Sequence, residues 1–175
     1  NIQSVNEEFS EVELKFGIEM DYTPGEEEEI AEFLDQFEFD FVIGSVHYLE
    51  EWMFDHPDYI DEYDHRDIDE VYEKYFNYVL QTAKSGLFDI MAHLDLIKVF
   101  DFHPQSDVLE YAQPALQAIA EEKLCIELNT NGLNKPVGEI YPSRKILEEA
   151  YRLGIPVTLS SDAHIPERVG EELAR

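Results

Sequence analysis

Apolar and polar residues alternate between residues 11 and 21. Val12, Leu14, Phe16, Ile18 and Met20 share one face, and Glu13, Lys15, Gly17, Glu19 and Asp21 share the other. A two-residue period predicts a strand, with Glu19 opposite the apolar stripe. Thr23-Pro24-Gly25-Glu26 predicts a helix start, with Thr23 as N-cap and Pro24 at the first position. Ile30, Phe33, Leu34 and Phe37 follow at helical spacing. Residues 39–46 predict a second strand, ending at His47. Residues 48–66, rich in acids and aromatics, predict a long loop, and loops of that length are often functional. Asp67 to Glu70 predicts a capping box. Ile68, Val71, Tyr72, Tyr75, Phe76, Val79 and Leu80 then form a helical face that stops near Gly86. Residues 88–92 predict a third strand, ending at His93. A helical region covers 107–122, with Pro114 as a kink or a restart. Residues 124–128 predict a fourth strand, ending at Asn129, and 142–153 a helix closed by Gly154. Residues 155–159 predict a fifth strand, leading to Asp162 and His164, and a further helix begins near Glu167.

Strands alternating with helices, with no repeat or low-complexity linker, predict one α/β domain over 1–175 with a parallel sheet. Chemistry gathered at strand C-terminal ends predicts a barrel of TIM type or a close variant. Five strands cannot close a barrel of seven or eight, so the sheet is expected to be open or to lack strands.

Composition narrows the function. The 175 residues suffice for a sizeable core. Forty acidic and 12 basic residues give a formal net charge of −28, which repels phosphate backbones and argues against a nucleic-acid partner. The acidic residues are spread among amphipathic segments and read as a solvated surface. No run of 18 apolar residues suggests a transmembrane helix, so no membrane partner is expected. The first eight residues lack the basic and apolar regions of a secretory signal. Cys125, the single cysteine, allows no internal disulfide and agrees with a reducing cytoplasm. Neither a Gly-rich phosphate loop nor a serine-hydrolase elbow is present.

The candidate chemistry lies in Glu19, His47, His93, Asp162 and His164. Singly, each reads as a structural histidine, a cap or a surface charge. Together at strand ends they suggest a polynuclear metal centre. The set suits zinc, manganese or iron, and a carboxylate such as Glu19 can bridge two ions. Two ions roughly 3.5–4 Å apart activate water and hold a leaving oxygen, which makes phosphate esters natural substrates. His56 and His103 sit in loops where either could touch substrate, although His103 reads as an ordinary loop residue, whereas His65 reads as a surface residue.

These motifs resemble the histidinol-phosphate phosphatases of the PHP (polymerase and histidinol phosphatase) superfamily. The resemblance runs almost end to end. It is carried by Gly-Ile-Glu19-Met-Asp-Tyr, Gly-Ser-Val-His47-Tyr-Leu, Asp55-His56-Pro57, Ala-His93-Leu-Asp-Leu-Ile-Lys98, Glu-Leu-Asn129-Thr-Asn-Gly132-Leu, Ile-Tyr-Pro and Ser-Asp162-Ala-His164. It implies a distorted (βα)7 barrel with two or three divalent ions and hydrolysis of L-histidinol phosphate, a small phosphorylated substrate. By resemblance Glu19 bridges two ions, His47 and His93 bind one, Asp162 binds the second and His164 a third. Glu19, Asp162 and His164 are then the catalytic set, and His56, Lys98, Asn129 and Lys135 contact substrate. Other implied readings are a PHP phosphoesterase acting on nucleotides or DNA ends and a non-catalytic PHP scaffold. Two features depart from the family. The initial His-x-His strand is absent, so the chain is expected to be truncated at both ends and incomplete in metal binding and activity. Asn134 and Lys135 also stand where the family often has an arginine after Gly-Leu; Lys135 or Lys98 is expected to serve in its place.

Overall fold

A computed structural model describes residues 5, 9 and 11–174 of the chain. Most of the first eight residues, read above as no secretory signal, therefore lie outside the described residues. The main sheet has five strands: β1 (Gly17–Asp21), β2 (Phe41–Ser45), β5 (Ile90–Met91), β6 (Cys125–Asn129) and β7 (Val157–Ser160). They lie in the order β1-β2-β5-β6-β7 and every neighbouring pair is parallel. Spatial order follows chain order, whereas a doubly wound sheet reverses direction at a switch point. Among the described residues β1 and β7 do not pair with each other, so the topology shows a parallel α/β sheet without showing barrel closure.

The helices sit between the strands: α1 (Glu27–Leu34), α2 (Ile68–Lys84), α3 (Val108–Glu121) and α4 (Arg144–Leu153). Asp67 caps α2 by accepting from the N–H groups of Asp69 and Glu70. Asp107 caps α3, which continues through Pro114 as one helix. Gly154 closes α4 in the left-handed conformation at φ 73°, a geometry that costs glycine least. The core gathers Tyr72, Tyr75 and Val79 of α2, Leu116 and Ile119 of α3, Ile146 of α4 and Met91 and Ile126 of the sheet.

Three sequence expectations are corrected. The strand expected from residue 11 begins only at Gly17, because its partner β2 starts opposite it, at Phe41; Val12 and Phe16 remain exposed. Thr23 does not cap α1. Gly25 adopts φ +92°, the Glu26 N–H bonds back to the Thr23 carbonyl, and the helix begins at Glu27. The helix expected near Glu167 is one short 3-10 turn, Pro166–Arg168.

The expected loop 48–66 carries structure of its own. Strands β3 (Tyr48–Leu49) and β4 (Trp52–Met53) form a hairpin, followed by a 3-10 helix over Pro57–His65. Phe54 and Tyr63 are buried beneath it. The Tyr63 hydroxyl lies 3.3 Å from the Phe54 carbonyl and 3.1 Å from the Ile97 carbonyl, tying the loop to the segment after β5.

Candidate metal centre

The parallel register determines which side chains meet. β1 turns Glu19 and Asp21 to one face, and the chain leaving β2 and β5 delivers His47 and His93 beside them. His93 Nε2 lies 3.1 Å from Glu19 Oε1, and His47 Nε2 lies 3.7 Å from the same oxygen. The imidazole centroids are 4.9 Å apart. One donor atom from each of the three residues falls within 4.8 Å of the other two, close enough to share an ion.

The surrounding groups orient this cluster. His47 Nδ1 sits 2.6 Å from Asp21 Oδ1, which leaves Nε2 facing Glu19. A carboxylate on the far nitrogen is the usual orienting partner of a metal-binding histidine. The buried His93 donates its backbone N–H to Glu127 Oε2 at 2.8 Å. Burial disfavours a charged His93 ring, but the Glu19 hydrogen bond and charge outweigh it and raise the pKa to about 9. Burial likewise works against ionised Glu19, yet His93 and His47 hold its pKa below the ordinary value. Both shifts favour a protonated His93 beside an ionised Glu19. A divalent cation suits this site of two imidazoles and a carboxylate and would displace that proton.

The cluster opens into a cavity of about 560 Å³, whose lining includes Asp21, Asp55, Asn131, Lys135, Tyr141, Asp162, His164 and Arg168. Asp162, at φ 49°, accepts from Asn131 Nδ2 at 3.1 Å. Arg168 donates to Asn131 Oδ1 at 2.8 Å and to Glu171 at 2.7 Å. His164 folds back so that Nδ1 lies 3.0 Å from the Asp162 carbonyl. Asp162 and His164 thus share the cavity with Glu19, His47 and His93 without joining their close cluster.

The remaining sequence candidates divide. Lys135 lines the cavity. His56 is outside its lining: its ring is exposed, and Nδ1 accepts the Asp58 N–H at the start of the 3-10 helix. Lys98 is buried, with Nζ 2.6 Å from Glu139, 2.9 Å from the Ile140 carbonyl and 3.3 Å from Asp95. These contacts match the three donors of an ammonium group and leave none for substrate. Burial pushes Asp95 up to about 6, against the pull of Lys98. Asn129 is buried as well; its side chain donates to Glu127 and accepts the Asn131 N–H, shaping the turn that presents Asn131.

Sequence reasoning missed Asp21, Asp55, Asn131 and Arg168. Asp21 shares the alternating face of Glu19, and that periodicity could have flagged it. Asp55 stood within a quoted motif, but its neighbour His56 drew the assignment. Burial raises the Asp55 pKa, while His47 and His93 pull it down.

Carboxylate and imidazole donors at the C-terminal edge of a parallel sheet form a candidate divalent-metal site in an α/β protein. The chain belongs to the PHP domain family, whose model matches residues 2–131; a second model, PHP-associated, matches residues 142–172. It is 43% identical over 99% of its length to a Deinococcus radiodurans protein named "Probable histidinol-phosphatase", of which it spans 66%. It is 31% identical over 91% of its length to the histidinol-phosphatase of Bacillus subtilis, again spanning 66%. A solved structure from Listeria monocytogenes shares the fold, with a TM-score of 0.81 at 23% identity, covering 99% of this chain and 72% of that one. The histidinol phosphate phosphatase of Lactococcus lactis, solved with zinc, L-histidinol and phosphate, matches with a TM-score of 0.71 at 25% identity, covering 94% of this chain and 64% of that one.

Proposed function

We propose that this chain carries the active site of a metal-dependent phosphomonoesterase that hydrolyses L-histidinol phosphate to L-histidinol and phosphate. The observation that carries the reading is the convergence of Glu19, His47 and His93 at neighbouring strand ends of a PHP domain. The names of the Deinococcus and Bacillus relatives, and the zinc, L-histidinol and phosphate held by the Lactococcus protein, support it.

In this reading Glu19, His47 and His93 hold one divalent ion of zinc, manganese or iron. Glu19 and Asp162 serve a second, and His164 a third. When bound, such ions supply positive charge to the phosphoryl oxygens and a polarised water. The protein's own side chains do the rest. Asp21 fixes the tautomer of His47. Asn131 orients Asp162, which accepts a proton from the attacking water. Lys135 and Arg168 supply positive charge to the phosphate oxygens, and the arginine compensates for Asn134.

The same reading takes the sequential strand order as one wall of a distorted (βα)7 barrel within a single PHP-type domain. It assigns a small, phosphorylated, cytoplasmic substrate. A net charge of −28 opposes phosphate polymers, and among the described residues no helix is long and apolar enough to cross a membrane.

Phosphate release by the purified full-length protein, with Mn²⁺ or Zn²⁺ and after chelation, tests this reading. The expected result is metal-dependent release that favours L-histidinol phosphate over nucleoside monophosphates. Metal-independent release, or a preference for nucleotides, would overturn it.

A further inference from the structure

Four acidic side chains line the cavity: Glu19, Asp21, Asp55 and Asp162. Three have partners within it: Glu19 meets His93, Asp21 meets His47, and Asp162 meets Asn131. Asp55 differs. Its Oδ1 is buried and accepts no hydrogen bond. The only other buried side-chain atom of the lining without a partner, among the described residues, is the Tyr141 hydroxyl. A buried, unpaired carboxylate oxygen is costly unless a ligand completes it.

The backbone holds Asp55 in place. Phe54, fully buried, packs edge-on against Tyr75 with ring centroids 5.5 Å apart. His56 on the other side faces solvent as the cap of the 3-10 helix. Residues 54, 55 and 56 therefore face core, cavity and solvent in turn. Asp55 follows the β3–β4 hairpin that leaves β2, whereas Lys135 follows β6 and Arg168 follows β7. β2 lies two strands from β6 and three from β7 in the sheet order. The acid and the two cations thus reach the cavity from different flanks. A ligand that satisfies both carries a phosphate at one end and a positive charge at the other.

We infer that Asp55 is a specificity-determining residue that receives the ammonium group of an aminoalkyl phosphate ester. This inference rests on the phosphatase reading and extends it. A carboxylate whose partner ammonium is absent stays unpaired in the cavity, so the site discriminates against phosphate esters that lack the amine. Asp55 lies outside the close Glu19–His47–His93 cluster and offers it no donor atom.

The test compares L-histidinol phosphate, its analogue without the amine, and p-nitrophenyl phosphate, using the Mn²⁺-loaded full-length protein. The unaltered protein is expected to prefer L-histidinol phosphate over the analogue by at least about tenfold in kcat/KM. In Asp55→Asn that preference should collapse to about twofold or less, through KM. The p-nitrophenyl phosphate rate and the bound metal should stay unchanged. Calorimetric binding of L-histidinol, which needs no turnover, should weaken in parallel. Equal use of both substrates by the unaltered protein overturns the inference without any variant. It is also overturned if discrimination persists in Asp55→Asn, or if metal and all three activities fall together. Failure of the unaltered protein to hydrolyse any of the three esters would instead defeat the phosphatase reading.

Discussion

The two flanks of the cavity are built differently. On the β1–β2–β5 flank, donor atoms converge directly from strand ends. The His93 side chain is only 5% exposed, and Asp21 and Glu127 hold the two histidine-bearing segments in place. On the β6–β7 flank the His164 side chain is 84% exposed, and Asp162 is positioned by hydrogen bonds running from Glu171 through Arg168 and Asn131. One flank is organised by backbone register and burial, the other by polar side chains on a loop. Register leaves little freedom to its donors, so under the proposed function the first flank is the place for tight metal binding. The second can adjust to the ligand it receives.

The largest effect should come from breaking the first flank. His93→Ala removes a donor, so metal retained after dialysis should fall from about one ion per chain to none, with affinity lost by more than about 100-fold. Elemental analysis reads this directly. Asp21→Asn leaves the donors but loosens His47, and metal affinity should drop by about 10–100-fold. A fall no larger than that of an exposed control such as Asp58→Asn would remove Asp21 from the site.

Asn131→Ala probes the other flank. It should lower kcat/KM for L-histidinol phosphate by about tenfold, the worth of one hydrogen bond to a charged group. The tight ion should stay bound. Loss of that ion in Asn131→Ala would show that the flanks do not act separately.

The smallest effect per step is on pH. His93 has its pKa raised to about 9, so an ion must displace its proton at neutral pH. Apparent metal affinity should rise with pH by at most about tenfold per unit and level off above about 9. Calorimetry in buffers of different ionisation heat would count the released proton. In the metal-free protein the sign is opposite. A histidine pKa raised above its unfolded value stabilises the fold fully below about pH 6.5, and that contribution is lost as pH rises through about 9.

The flanks also differ in how far they could be read from sequence. Glu19, His47 and His93 stand at the ends of apolar runs whose period predicts strands, and a parallel sheet brings such ends together. Alternation over residues 11–16 carried the same local signal, yet no strand forms there, because pairing depends on a partner that starts only at Phe41. In loops the period gives no direction. Whether Asp55 or His56 faces the cavity depends on Phe54 being anchored against Tyr75, a contact made across the chain. Lys98 was legible as a cation, but its engagement by Glu139 and Ile140 depends on tertiary packing. Arg168 reaches the cavity through Asn131, 37 residues earlier, and local patterning cannot report that contact.

The central claim is that Glu19, His47 and His93 hold an ion. Anomalous diffraction at the zinc edge, from crystals grown with Zn²⁺, tests it most directly. The account predicts a peak about 2.0–2.2 Å from a Glu19 carboxylate oxygen and from Nε2 of both His47 and His93. A fully occupied zinc held elsewhere in the cavity, with no peak among these three side chains, would contradict it.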